Sequence, residues 1–351
     1  MIRLGALGDV VRTLPAVSAV RSAYPGAHLA WLVEAGAAGV LADLPFLDEV
    51  IEFPRAELRD ALARADLRGL VASAAGCLRE LRGRRFDLAL DFHSILRSGL
   101  LCRLSGAPLR VGYAPPFGRE LAHLFVTHRV RLAPAKLSRF DRNEALVRRL
   151  GIAWKPWARP LPTGAGRRRR FKASAPVAIH PGSSEATPYK RYSALGYGRV
   201  ARALARETGV PCVVTCGPGR RERALAEAVV VASGGDARLA PETRSVADLA
   251  AVFADCRIAI AGDTGPLHLA SLVGTPVVQL LGPTDPIENE PWRGTPSRSL
   301  RLGLPCSPCR RGCAAAPCLR ELPPETVIAA ARDLLALDAR TGTAVSAAAA
   351  G

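Results

Sequence analysis

The sequence predicts an α/β protein built from two Rossmann-like halves, and three observations carry that prediction. Short apolar runs alternate with helical patterns along both halves. The alternation breaks off in a Pro-, Gly- and Arg-rich stretch near residue 154 and then restarts. Each half also holds a strand, a glycine turn and a helix in succession. The 351 residues, 49% of them hydrophobic, suffice for two cores, given domains of about 150 residues. The expected division is a first domain at 1–155, a linker at 156–175, a second domain at 176–338 and a disordered tail at 339–351.

The elements follow in chain order. Ile2 to Leu4 read as the end of a buried strand, and "GALGDVVRTLP" (5–15) comes next. Gly5 and Gly8 make a tight turn. Val10, Val11, Leu14, Val17 and Val20 recur at helical spacing, so one helix is expected from Asp9 to about Ala23. The turn carries only G-x-x-G, not the full G-x-G-x-x-G, and a fixed carboxylate at that helix start would repel a phosphate. It therefore does not read as a nucleotide cradle. The motif alone leaves two roles open for Asp9: a helix cap, or an acid aimed into a cleft.

Strands are expected at "HLAWLV" (28–33), "EVIEF" (49–53) and "FDLALDF" (86–92), with helices near 56–82 and 94–104. "WKPWARPLPTGAGRRRRFKASAP" (154–176) shows no periodicity and reads as the linker, its "RRRR" (167–170) a solvated run. The pattern resumes at "VAIH" (177–180), which runs into "PGSS". Further strands are expected at 210–216, 257–262 and 276–282. Helices are expected near 193–207, 219–233, 245–254, 265–273 and 324–338. "TGTAVSAAAAG" closes the chain as a low-complexity tail. Two such halves joined by a short linker imply a cleft, where ligands usually sit.

Composition bounds the function. The net charge is +17, from 48 Lys and Arg against 31 Asp and Glu. Such an excess points to an anionic partner, or to an Arg-rich composition without functional meaning. Nucleic acid is not the expected partner: aromatics are only 5% of the chain, and no helix-turn-helix or RNA-binding signature is present. No apolar run approaches the roughly 20 residues that span a bilayer, and no basic, apolar leader opens the chain. A cytoplasmic protein without a transmembrane segment is expected. So little sequence precedes Leu4 that a start upstream of Met1 would complete the first strand.

"IAIAGDTGPLHLASLVGTPVVQLLGPTDP" (258–286) is the most informative stretch. A strand ends at Gly262 and a helix begins near Pro266, which suits a first helical position. Asp263 or Thr264 falls at the cap. The N–H groups of Thr264, Gly265 and Leu267 then face outward, and Gly265 lets a ligand approach the backbone, so the turn can seat a diphosphate. His268 lies in the first helical turn, either near that anion or simply packed.

"LGDVVRTLPAVSAVR" together with "AGDTGPLHLASLVGTPVVQLLGPTDP" resembles the heptosyltransferases of glycosyltransferase family nine. The likeness extends over "AWLVEAG" (30–36), "DLALDFHSILRSGLL" (87–101), "GRELAHLF" (118–125) and "HPGSS" through "YKRY" (180–192), so it covers most of the chain. The resemblance implies a glycosyltransferase B architecture, two Rossmann-like domains facing across a cleft, with acceptor in the first and ADP-heptose in the second. It implies an inverting transfer of heptose from ADP-L-glycero-D-manno-heptose to a Kdo-lipid A acceptor of the lipopolysaccharide inner core. Such an enzyme works at the cytoplasmic face of the inner membrane and needs no cofactor.

The same resemblance assigns residues. Asp9 matches the family's general base, which takes the proton of the attacking acceptor hydroxyl. Lys190 matches the lysine on the donor phosphates, Asp263 the acid that holds heptose hydroxyls, Thr264 and Gly265 the phosphate-binding backbone, and His268 the histidine of that helix turn. Where the family usually has Trp, this chain has Tyr192. Arg97 and Arg119 match basic or polar acceptor contacts, and Arg55, Arg59, Arg64 and Arg68 could line the same mouth. Neither motif reads the sugar. A relative using another nucleotide sugar or glycan acceptor, and a nucleotide-sugar-binding protein without turnover, are the rival readings.

"PCSPCRRGCAAAPC" places Cys306, Cys309, Cys313 and Cys318 close together behind a C-x-x-C start. That pattern suggests a structural zinc or iron–sulfur site. The spacing lacks a second C-x-x-C, and similar clusters occur in some members of the resembled family. Cys77, Cys102, Cys212, Cys216 and Cys256 read as core residues.

Overall fold

The structure, a computed structural model, describes residues 1–42, 44–133, 136–154, 157, 174–309 and 311–347, with the side chains of the last helix described to Leu337. The chain forms two compact units, Met1–Ala158 and Arg159–Gly351. Apart from Trp157 and residues 174–175, the expected linker at 156–175 lies outside the described residues, as does its "RRRR" run.

In the first unit β1 (Ala30–Glu34) pairs with β2 (Glu49–Phe53), and β3 (Leu88–Asp91), β4 (Leu109–Tyr113) and β5 (His128–Val130) form a second group, all parallel. The chain start joins the two groups. Ile2 bridges Leu32 on one side and Asp91 on the other. Its N–H donates to the Leu90 carbonyl at 2.8 Å, and the Leu32 N–H donates to the Met1 carbonyl at 2.9 Å. The buried strand expected at Ile2–Leu4 is thus the centre of the sheet, in the order β2–β1–(1–4)–β3–β4–β5. Ile2, Leu4, Leu32, Ile51, Cys77, Leu81, Leu101 and Cys102 share its core.

Two expected helices are each split. The helix expected at 9–23 is α1 (Leu7–Val11) and α2 (Leu14–Ala23), separated by a turn at Arg12–Thr13. Pro15 enforces the break: with no N–H it is tolerated in the first turn of a new helix and not inside an old one. After α3 (Ala35–Ala38), the helix expected at 56–82 is α4 (Arg55–Ala63) and α5 (Leu67–Gly83). Asp66 caps the second afresh by accepting the Gly69 N–H at 2.9 Å. α6 (Leu96–Leu104) follows β3, and α7 (Arg139–Arg149), which the sequence reading passed over, closes the unit.

The second unit holds β6 (Val177–His180), β7 (Cys212–Val214), β8 (Ala237–Leu239), β9 (Ile258–Gly262), β10 (Val277–Leu280) and β11 (Ser297–Leu300). The order is β8–β7–β6–β9–β10–β11, every pair parallel. Helices α8 (Ala194–Thr208), α9 (Arg220–Ser233), α10 (Val246–Ala254) and α11 (Gly265–Val273) alternate with the strands. α12 (Pro317–Arg320) and α13 (Pro324–Ala347) end the chain. The last helix continues past residue 338, where the composition placed its end, so 339–347 are helical and 348–351 lie outside the described residues.

Both sheets have the doubly wound order, and each reverses direction at one place: between the 1–4 strand and β3 in the first unit, between β6 and β9 in the second. Open α/β sheets bind ligands at the carboxyl ends of the strands flanking such a reversal. Among the described residues no helix is long and apolar enough to cross a membrane.

Candidate active site

In the second unit the reversal places the ends of β6 and β9 side by side. β9 stops at Gly262, Asp263 follows, and Thr264 is the extended N-cap of α11, without a side-chain cap bond. The helix starts at Gly265, so Pro266 takes its second position, one later than expected. Among the described residues no acceptor takes the N–H of Thr264, Gly265 or Leu267. Three free donors at the positive end of a helix form a seat for an anion.

Asp263 is gripped from two sides. Its Oδ2 lies 3.1 Å from Lys190 Nζ and its Oδ1 3.1 Å from His268 Nε2. His268 is fully buried, at 0% exposure. Of the two readings of His268, near an anion or packed, the packed one describes its burial, and its ring meets the Asp263 carboxylate. Lys190 ends a 3-10 turn, Pro188–Lys190. A Cβ on Gly262 would stand 2.8 Å from the Lys190 carbonyl, so glycine at the end of β9 is what lets the lysine-bearing turn settle there. Tyr192 anchors the same segment: its O–H donates to the Leu322 carbonyl at 2.9 Å, and its ring meets Tyr197 edge-on at 5.0 Å.

The β6 side adds a residue that the sequence reading did not single out. His180 Nδ1 lies 3.0 Å from Thr215 Oγ1, and burial lowers its pKa to about 4, so the imidazole is neutral. A Cβ on the neighbouring Gly182 would run into the Glu222 carboxylate. The loop beyond is pinned by Arg191, which donates to the Ser183 carbonyl at 2.9 Å and to its hydroxyl at 3.0 Å.

In the first unit Asp9 stands just past the central strand. It is not a cap: Ala6 holds that position. The Asp9 carboxylate instead meets guanidinium groups. Arg3 pairs with Oδ2, while Arg12 Nη1 and Arg139 Nε lie 3.0 and 3.1 Å from Oδ1. Burial raises its proton affinity, but the charges of Arg3, Arg139, Arg12 and Arg142 outweigh that and hold the carboxyl well below the usual carboxylate range. With 21% of its side chain exposed, Asp9 remains reachable from solvent.

The cage is assembled by α7. Asn143 donates to the Arg12 carbonyl at 3.1 Å and to Thr13 Oγ1 at 3.0 Å, docking the helix on the α1–α2 break. Arg142 lies over the Tyr113 ring at 5.4 Å, and desolvation lowers its pKa. Arg3, Arg139 and Arg142 were absent from the sequence reading, because no local motif links residues so far apart in the chain.

The end of β3 completes this edge. Asp91 accepts the N–H of Ser94 at 2.9 Å, the N–H of His93 at 3.0 Å and the Ser98 hydroxyl at 2.9 Å, yet burial pushes it up to about 6. His93 is drawn down to about 3 by burial and by Arg3, and among the described residues its buried Nδ1 has no hydrogen-bond partner. Farther out, Glu34 accepts from Arg97 at 2.9 Å and from Arg55 at 2.7 Å, so both arginines flank the end of β1. Arg119 reaches this edge through its backbone N–H, 2.9 Å from the Ser94 carbonyl, with its side chain exposed. Arg59, Arg64 and Arg68 are also exposed, and Arg59 pairs with Asp60.

Cys306, Cys309 and Cys313 are exposed free thiols and Cys318 is buried. Among the described residues no group of three or more His, Cys, Asp or Glu is arranged to hold a metal ion, so the zinc reading gains no support from this geometry. Cys77, Cys102, Cys212 and Cys256 are buried, as expected of core residues, whereas Cys216 is partly exposed.

Comparison with known proteins fits this arrangement. Residues 75–319 match the family model of glycosyltransferase family 9 (heptosyltransferase). The lipopolysaccharide core heptosyltransferase OpsX of Haemophilus influenzae is 24% identical, over 83% of this chain and 81% of its own. Lipopolysaccharide heptosyltransferase 1 of Pseudomonas aeruginosa is 28% identical, over 88% and 85%. The structure of Escherichia coli heptosyltransferase WaaC with ADP superposes with a TM-score of 0.74 at 20% identity, covering 95% of this chain and 98% of that one. The fold is therefore the glycosyltransferase B type, as the resemblance implied.

Proposed function

Because the chain belongs to glycosyltransferase family 9, the heptosyltransferase family, we propose that it transfers heptose from ADP-L-glycero-D-manno-heptose to a Kdo-lipid A acceptor, with inversion and with Asp9 as general base. The observation that carries the donor half is the Lys190–Asp263–His268 constellation beside the open N-terminus of α11. Lys190 and the N–H groups of Thr264 and Gly265 bind the diphosphate. Asp263, fixed by His268, accepts from heptose hydroxyls. WaaC has been solved with ADP and with ADP-2-deoxy-2-fluoro heptose, which supports the same donor class here.

Asp9 withdraws the proton of the acceptor hydroxyl as its oxygen attacks the anomeric carbon, on the face opposite ADP. The bond from that carbon to the diphosphate oxygen breaks. The charge that develops on departing ADP is met by Lys190 and the helix N-terminus. Asp9 is ionised at any physiological pH, but four arginines also make it a weak base. Arg3, Arg139 and Arg97 are suited to the acceptor's planar carboxylates. An acceptor that draws Arg139 away raises the basicity of Asp9 as the substrate arrives.

The protein then acts at the cytoplasmic face of the inner membrane, where a lipid-borne acceptor is found. Incubation of the full chain with ADP-heptose and Kdo-lipid A, followed by mass spectrometry of the lipid, tests the reading. A gain of one heptose supports it. ADP-heptose binding without transfer to this or an already heptosylated acceptor favours a different glycan acceptor. A stronger response to another ADP-sugar in competition overturns the donor assignment.

A further inference from the structure

The first unit exposes four leucines along one seam. Leu96 and Leu100, one turn apart on α6, are 48% and 42% exposed, and Leu121, which caps the neighbouring 3-10 turn Ala122–Leu124, and Leu124 at its end are 61% and 57% exposed. The seam is closely built. A Cβ on Gly99 would stand 3.0 Å from the Ala122 carbonyl, and the Leu96 N–H donates to the Glu120 carboxylate at 3.3 Å. Large apolar side chains gathered on a well-packed edge mark a contact surface more often than scattered ones do.

The backbone makes the exposure more costly still. Glu120 and Leu121 have φ of +52° and +62°, the left-handed region, which disfavours a residue that bears a side chain. Leu121 thus sits in a strained conformation and faces water. An outlier of this kind is a pointer to function.

The surroundings say what covers the leucines. Arg97, Arg103, Arg119 and Arg129 are exposed on the same helix, turn and adjoining strand, and Arg129 Nε donates to the His123 carbonyl at 2.8 Å at the turn itself. Glu120 stands among them and Arg97 is paired with Glu34, so arginines outnumber acids at the edge, and the whole chain carries +17. Leucines rimmed by arginines fit the headgroup boundary of an anionic bilayer, where apolar tips enter the acyl region and guanidinium groups meet lipid phosphates. A symmetric second copy would set this basic rim against itself. Arg97 and Arg119 also belong to the edge that carries the acceptor half-site, so the surface is continuous with it.

We propose that α6 and the 3-10 turn Ala122–Leu124 form a docking edge for an anionic membrane surface. It deepens the reading of a lipid-borne acceptor and rests on it, but it is tested without either substrate. The full chain is sedimented with vesicles of phosphatidylethanolamine and phosphatidylglycerol, and with neutral phosphatidylcholine vesicles. The double variant Leu121→Asn/Leu124→Gln is run beside it. Asparagine tolerates the left-handed backbone, so the variant keeps the turn. An unchanged circular dichroism spectrum and melting profile confirm its fold, and stabilisation by ADP its donor site.

The wild type is expected to bind the anionic vesicles, to leave them in high salt, and to ignore neutral ones. The variant is expected to bind at least about tenfold more weakly with its ADP response intact. Equal vesicle binding by the two proteins overturns the proposal. So does a wild-type dimer that the variant converts to monomer, which would make a second copy the occupant. Loss of heptose transfer with vesicle binding retained would instead count against the proposed reaction and leave the docking edge standing.

Discussion

Around Asp9 the balance of charge sets what a single residue can do. Arg139→Gln removes one guanidinium from the carboxylate, so the Asp9 pKa rises toward its ordinary value of about 3.9. A base must be ionised to act, so activity falls as pH drops through its pKa. The wild-type acidic limb of kcat/KM therefore lies below the usual carboxylate range, and in Arg139→Gln it moves to higher pH. A pH profile of ADP release checks this; an unmoved limb removes Asp9 from the role. The stability that Asp9 contributes follows the same sign: it is present above the unfolded value and is lost in acid, and the variant shows less of it. If Lys190 meets the diphosphate as proposed, Lys190→Gln removes that charge and is expected to weaken ADP binding by about 10- to 100-fold, as read by calorimetry. His268→Asn is expected to weaken the sugar nucleotide more than ADP, because it loosens the Asp263 carboxylate to which the proposal gives the sugar hydroxyls.

Two glycines in the second unit separate the donor site from its scaffold. Gly262→Ala pushes on the Lys190 carbonyl and is expected to lower ADP affinity at modest cost in stability. Gly198 lies where α8 meets α9, and its Cβ would be 2.5 Å from that of Ala232. Gly198→Ala is expected to cost about 1–3 kcal/mol by overpacking, seen as a lower melting temperature with ADP affinity unchanged. Legibility divides along similar lines. β2 and β6 stand at the bounds their apolar runs predicted, and α11 at its own, because a buried strand or helix imposes a period on the sequence. β4, β5, β8 and β11 were missed: "LRVGY" and "SRSL" break the apolar run with Arg, Gly or Ser, and "HRV" and "ARL" are too short to carry a period. The split of α1 from α2 did leave a signal in Pro15. Asp263 and His268 were legible because they share one segment, whereas Lys190 entered only through the resemblance of "YKRY". The cage was not, since Arg3 and Arg139 meet Asp9 only through α7 docking on the α1–α2 break.

At the scale of the molecule, two sheets of the same doubly wound order each present chemistry at the point where the order reverses. The first unit offers an ionised acid among arginines, the second an anion seat beside a fixed carboxylate. ADP at one hundred times its Kd should stabilise the second unit by about 2.7 kcal/mol, and melting of a variant that keeps Trp292 as its one tryptophan, the other three replaced by Phe, should register it. The central claim is a division of labour between a base in one unit and a donor site in the other. Its most direct test is Asp9→Asn, with turnover and ADP-heptose affinity measured on the same preparation. We expect transfer to fall by about 10²- to 10⁴-fold while the donor Kd stays at the wild-type value. Undiminished transfer, or a donor affinity that collapses with it, would contradict the claim.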